Sequence, residues 1–439
     1  MTIFQIIAIL LTLTAMAAYV NKRFLHLPAS SGMMLLTLLL SWTGMAVASL
    51  GWIDLSPVRA FMVGIDFSNL FLHGMLSFLL FAGAMHVDLN ELKKYRVVVA
   101  ILATAGVVLA TFATGTLVWA VGHALGFTIP YLYALLFGAL IAPTDPVAVL
   151  SVLRDAHLAK SLRLKISAES LLNDGVSVVL FLILLNLSLH PQQGGGWDLA
   201  EIGRLCAWEG VGSIVLGLML GGAAYGLLHG IDDYKTEILL TLALVAGGYS
   251  FAEAIGVSAP ITMVIAGLLV GNHGRAFVMS ERTRKHLDMF WELIDDILNA
   301  ILFALIGLQI MVVPFSQSLW ALGILAIAAT LAGRFISVAI PIHVLRPYIR
   351  FEKGAVRLLT WGGLRGGISV AMALSLPANP YKDLLLGMTY LTVVFSVLFQ
   401  GTTFGPVARK ILRKDGGARS ISPPISPRIS PCPSEKTSL

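Results

Sequence analysis

Thirteen apolar stretches separated by short polar gaps run along nearly the whole chain. Their approximate limits are 2–20, 28–49, 66–86, 97–121, 130–152, 166–189, 206–228, 236–254, 258–272, 289–311, 318–345, 355–377 and 384–408. Most reach the ~20 residues that a helix needs to cross about 30 Å of hydrocarbon. The ninth is short, the fifth is interrupted by Pro143 and Pro146, and the twelfth by paired glycines. The pattern predicts an all-α polytopic membrane protein with about 13 transmembrane helices.

Composition agrees. Hydrophobic types make up 57% of the 439 residues and charged types 12%, with a mean hydropathy of +0.85. A soluble domain carries roughly 25% charged residues, so these charges are too few to cover a water-exposed surface. The net charge of +6 does not indicate a nucleic-acid partner, because a basic excess needs a basic face to mean that. Cys206 and Cys432 are too far apart to suggest a disulfide framework or a zinc site. Met1-Thr2-Ile3 lacks a basic n-region, so the first stretch reads as a span rather than a removable signal.

Lysine and arginine give the orientation. Of the 30, 25 fall in the gaps after odd-numbered spans (counting Arg357, at the edge of the twelfth span) or in the tail, and only Arg59, Arg204 and Lys382 follow even-numbered ones. The positive-inside rule then places the N-terminus outside and the C-terminus in the cytoplasm. Residues 412–439 are rich in proline and serine with no apolar period, and are expected to be a disordered cytoplasmic tail after a transmembrane domain spanning 1–411.

Ionisable residues inside spans are costly and are read as functional by default. Asp145 lies in the fifth span, Glu169 and Asp174 in the sixth, Arg334 in the eleventh and Arg365 in the twelfth. Pro143 and Pro146 break the fifth span around Thr144 and Asp145, and broken backbone at membrane depth must be buried in protein or line a wet cavity. Such a break offers carbonyls, a hydroxyl and a carboxylate, all hard oxygen ligands suited to a small cation. In the sixth span Glu169 and Asn173 share one line of the helix, and Ser170 and Asp174 the next. Asp174 with Ser170 makes a compact oxygen site, neutral Asn173 can hold Asp145, and Glu169 needs a cation from Arg334 or Arg365. In Gly362-Gly363-Leu364-Arg365-Gly366-Gly367 the glycines allow an unwound segment around one arginine. Two interrupted spans, around 143–146 and 362–367, point to inverted repeats crossing near the midplane. Glu253 reads as structural, as do Asp295 and Asp296, although that pair sits where a cytoplasmic funnel opens.

Thr144-Asp145-Pro146, Glu169-Ser170-Leu171-Leu172-Asn173-Asp174, Gly333-Arg334 and Gly362-Gly363-Leu364-Arg365-Gly366 occur in an order and spacing that resembles the monovalent cation:proton antiporter family, the NhaP-type and eukaryotic sodium/proton exchangers. The likeness covers about residues 5 to 410. It implies a homodimer in the plasma (bacterial inner) membrane serving pH and sodium homeostasis. Each protomer would have a core domain (spans near 66–189 and 289–408) and a dimerisation domain (the first spans and those near 206–272). It also implies that Asp174 binds Na⁺ and the proton in alternation, with oxygens from Ser170 and Thr144. Asn173 would hold Asp145, Glu169 would pair with Arg334, and Arg365 would sit in the unwound stretch. No cofactor is implied beyond the transported ions. The sequence departs from the pattern at Leu80-Phe81-Ala82-Gly83, where many bacterial relatives carry an acid in place of Ala82; His86, nearby, reads as interfacial.

With one titrating carboxylate, Na⁺ and H⁺ exclude each other and the loaded site has the same charge either way, so exchange is expected to be electroneutral, one for one, by alternating access. Na⁺ or Li⁺ is the expected cargo, with K⁺/H⁺ exchange as the alternative. An ion channel expects a filter or rings of charge. An intramembrane aspartyl protease using Asp145 and Asp174 leaves Asn173 without a role. A transporter is expected, not an enzyme.

Overall fold

The computed structural model describes residues 3–56, 69–146, 160–189, 207–274, 280–313, 317–347 and 354–414, with a few isolated positions between these ranges. The cysteines and the tail from 415 onward lie outside the described residues. All described elements are helical, and no strand occurs among the described residues. In chain order they are α1 (Ile3–Val20), α2 (Ala29–Ser49), α3 (Leu76–Met85), α4 (Leu89–Ala103), α5 (Ala105–Ala124), α6 (Tyr131–Leu140), α7 (Lys160–Leu189) and α8 (Ser213–Leu228). There follow α9 (Tyr234–Ala254), α10 (Ala259–Leu269), α11 (Glu281–Leu308), α12 (Gln317–Leu345), α13 (Ala355–Trp361), α14 (Gly367–Leu374), α15 (Lys382–Phe395) and α16 (Gly401–Lys414). Among the described residues, nine helices are long and apolar enough to cross a membrane, and three shorter apolar ones, including α6 and the helix 259–272, accompany them.

Local chemistry sets the ends. Pro130 immediately precedes α6, and Pro260 sits in the first turn of α10, where its missing N–H is no loss. Asp233 caps α9 by accepting the Thr236 hydroxyl at 2.7 Å and its N–H at 3.1 Å. Those bonds hold its exposed carboxyl below the usual carboxylate range. Ser280 caps α11 through the Thr283 N–H at 3.3 Å. Both interrupted spans are broken where the sequence breaks them. α6 stops at Leu140, with 142–146 non-helical around the two prolines; α13 stops at Trp361, and 363–366 are non-helical before α14 begins.

The helices pack as two groups. In one, α5 lies against α12 and α6, α7 against α4 and α6, and α15 against α12 and α14. In the other, α2 lies against α11, and α10 against α3, α8 and α9. Within the first group the α5–α6 crossing is close. A Cβ on Gly115 would lie 2.8 Å from the Ala134 carbonyl oxygen, and one on Gly138 would press on the Thr111 carbonyl, so glycine is needed at both positions. The spans near 66–86 and 289–311, assigned to the core from sequence, become α3 and α11, whose densest packing is with α10 and α2. Their apolar faces carry no signature of which bundle they join.

Candidate functional site

The polar residues of α7 meet the broken segment 142–146 in a buried layer. Thr144, Glu169, Ser170, Asn173 and Asp174 are all buried. The Ser170 hydroxyl donates to the Thr144 carbonyl and accepts from the Thr144 hydroxyl at 3.2 Å. The Asn173 amide donates to the Ala142 carbonyl at 3.2 Å and to the Thr144 hydroxyl at 3.1 Å, while its own oxygen accepts from Ser177 at 3.0 Å. Both amide hydrogens are therefore committed. Asn173 grips the broken helix through Ala142 and Thr144, not through the Asp145 carboxylate as the sequence suggested. The reason is geometric: where α6 unwinds, Ala142 loses an intrahelical partner for its carbonyl, and the Asn173 amide of the neighbouring α7 takes it.

The two interrupted segments cross and bond to one another. The Asp145 N–H donates to the Leu364 carbonyl at 2.8 Å. The Arg365 guanidinium donates from Nη1 to the Ala142 carbonyl at 2.6 Å and the Pro143 carbonyl at 3.1 Å. A Cβ on Gly366 would lie 2.7 Å from the Asp145 Cβ, so the approach needs glycine. Glu169 pairs with Arg334 at 2.7 Å, both buried, and Arg334 Nε also reaches the Leu359 carbonyl at 3.3 Å. That pair joins α7, α12 and α13. Of the two arginines left open by the residue pattern, Arg334 is the partner.

Asp174 is different from its neighbours. Its Oδ1 is buried and accepts no hydrogen bond from the described residues. It lines a cavity of about 170 Å³ together with Thr144, Asp145, Ser167, Asp295 and Asn299. The cavity lies on the seam between the two helix groups, since α3 and α11 wall one side and α7, 143–146 and α14 the other. A second void of about 10 Å³, enough for about one water, sits among Thr144, Glu169, Ser170 and Arg334. Counting full charges, Asp145, Glu169 and Asp174 outnumber Arg334 and Arg365 by one. The cluster can be neutralised by one monovalent cation or one proton.

A family model described as sodium/hydrogen exchanger, transmembrane, matches residues 9–410. The chain belongs to the sodium/hydrogen exchanger family. It is 44% identical over 428 residues to the Na(+)/H(+) antiporter NhaP of Pseudomonas aeruginosa, covering 94% of this chain and 99% of that one. It is 32% identical to the low-affinity Na(+)/H(+) antiporter NhaS1 of Synechocystis, covering 84% of this chain and 68% of the relative. The structure of the sodium proton antiporter MjNhaP1 from Methanocaldococcus jannaschii at pH 8 matches with a TM-score of 0.72 at 20% identity, over 94% of this chain and 100% of that one. It shares the fold. A member of this family is a multi-pass membrane transporter rather than an enzyme, which sets aside the protease reading of Asp145 and Asp174.

All eight residues singled out from the sequence converge on this one site of the exchanger. Sequence reasoning missed Ser177, which stands four residues after Asn173 on the same strip and was open to the same argument. It also missed Asn299, which donates to the Asp295 carboxylate at 3.0 Å, and the backbone carbonyls that receive Arg365.

Proposed function

We propose that this protein exchanges Na⁺, or Li⁺, for H⁺ across the plasma (bacterial inner) membrane, one for one, with Asp174 alternately binding the cation and the proton. The buried, unbonded Oδ1 of Asp174 at the cavity wall carries this reading. Its neighbours are bonded elsewhere: Asn173, Thr144 and Ser170 with one another, and Glu169 with Arg334. One carboxylate oxygen is left to take a ligand from the cavity, and the single excess negative charge admits one Na⁺ or one H⁺ but not both. Thr144, on the cavity wall, and Ser170, bonded to it, are the neutral oxygens assigned as further ligands, and Asp145 contributes negative charge at the crossing. The relatives described above are both named for Na⁺/H⁺ antiport, which favours Na⁺ over the K⁺ alternative.

The full reading is a homodimer of thirteen-span protomers, N-terminus outside and C-terminus cytoplasmic, built on inverted repeats that carry the two broken helices. On this orientation His86, Ser167 and Asp295 line the cytoplasmic mouth of the cavity, where Asp295 attracts cations. The bundle of α4–α7 and α12–α16 then moves against α1–α3 and α8–α11, carrying Asp174 across the barrier. The test is proton-gradient dequenching in proteoliposomes, with Na⁺, Li⁺ and K⁺ added in turn. Wild-type protein should respond to Na⁺ and Li⁺, and Asp174→Asn to none. Cation-coupled proton movement by Asp174→Asn would sink the assignment.

A further inference from the structure

Between α15 and α16 the last helix makes a π turn, Ser396–Gln400. Such turns insert one extra residue and often accompany functional sites. Both end residues are polar and buried, and neither stands out in sequence from the hydroxyls and amides of other spans. Their bonds lead to the unwound stretch. The Arg365 N–H donates to the Ser396 hydroxyl at 2.9 Å. That hydroxyl donates to Gln400 Oε1 at 2.7 Å, and Gln400 Nε2 donates to the Trp361 carbonyl at 3.3 Å. In an intact helix the Trp361 carbonyl would bond the N–H four residues on, which is that of Arg365. The serine–glutamine pair is inserted into that missing bond. Each hydroxyl and amide hydrogen in the relay runs in one consistent direction, from the Arg365 N–H to the Trp361 carbonyl.

We infer that Ser396 and Gln400 are positioning residues for transport, which hold the twelfth span open at Arg365 and so keep its guanidinium on the Ala142 and Pro143 carbonyls beside Thr144 and Asp174. Neither touches the ion. They act through Arg365, which is buried and bonded across to the other broken segment. Without them the backbone at 361–365 either closes toward helix, withdrawing Arg365, or leaves a buried N–H and carbonyl unpaired. The same π turn is tied to the other helix group, because Ser31 of α2 donates to the Val397 carbonyl at 2.8 Å. The site's backbone is thus braced from outside its own bundle.

The inference rests on the ion site proposed above, and its test separates the two. Wild-type, Ser396→Ala, Ser396→Thr, Gln400→Leu and Asp174→Asn proteins are reconstituted, and the Na⁺ dependence of exchange is measured together with Na⁺-induced thermal stabilisation in detergent. Ser41→Ala is the control: Ser41 is an equally buried serine that donates to the Thr37 and Gly307 carbonyls, away from the site. Ser396→Ala and Gln400→Leu should raise the Na⁺ KM about three- to tenfold, the range of one net hydrogen bond, with maximal rate within about twofold. Stabilisation should need correspondingly more Na⁺. Ser396→Thr should restore both, and Ser41→Ala should move neither. Should Gln400→Leu fail to fold, Ser396→Cys, nearly isosteric with a weaker hydrogen-bonding sulfur, carries the same expectation. An unchanged KM in folded Ser396 variants, or an equal rise in Ser41→Ala, overturns the inference. Exchange surviving in Asp174→Asn overturns the site itself.

Discussion

Breaking the Glu169–Arg334 pair from either side should be worse than deleting it. The two groups meet at 2.7 Å and both are buried, so neither charge has water to fall back on. At an effective dielectric constant near 20, two charges about 4 Å apart attract by about 4 kcal/mol, and desolvation offsets much of that. Removing one partner strands the other, at about 3–5 kcal/mol. Glu169→Gln leaves the Arg334 charge with only neutral acceptors, such as the Leu359 carbonyl; Arg334→Met leaves a bare carboxylate. Unfolding entropy of about 2 cal/mol/K per residue turns that loss into a fall of about 3–6 °C in apparent melting temperature for a chain of this length. The double variant Glu169→Gln/Arg334→Met removes both charges and should recover most of the loss. Thermal melts in detergent of the wild type, both singles and the double complete the cycle. If either single melts with the wild type, or if the double loses the sum of the two singles, the pair is not the buried ionic link described and the argument fails.

Two further outcomes follow from the site. Asn173→Asp adds a second titrating carboxyl beside Asp174, so turnover should become dependent on an imposed membrane potential, where the wild type should show little; each charge moved is worth about 2.3 kcal/mol per 100 mV. Indifference of the variant to potential across a range of imposed gradients would refute the charge argument. Gly366→Ala puts a methyl group 2.7 Å from the Asp145 Cβ and should abolish exchange while leaving the protein in the membrane, as measured by vesicle dequenching and membrane yield.

What was legible in the sequence was legible because hydrocarbon makes charge conspicuous. Asp145, Glu169, Asp174, Arg334 and Arg365 stood out against apolar spans, and they come together at one site. Proline and glycine marked the two breaks, and the crossing bond from Asp145 to Leu364 joins them. Neutral groups left no such trace. Ser396 and Gln400 resemble the serines, threonines and amides that bond harmlessly to the preceding turn, as Thr392 does to Met388. The Asn173 amide could have reached several oxygens, and only the path of the unwound backbone decides that it takes Ala142 and Thr144. The grouping of α3 and α11 was invisible for a related reason: an apolar face packs equally well on any apolar neighbour.

Arg365 also takes something away. By occupying the Ala142 and Pro143 carbonyls it removes the ligands that a dehydrated cation finds most easily in a broken helix. A cage of carbonyls would hold Na⁺ whatever the pH, since carbonyls do not titrate. Here the side-chain oxygens lining the cavity are mainly hydroxyls and carboxylates, which on this reading hold the ion only while Asp174 is ionised. On the proposed mechanism, ligand scarcity enforces the exchange: the cation rides only when the proton has left, and no separate gate is needed to keep the two from travelling together.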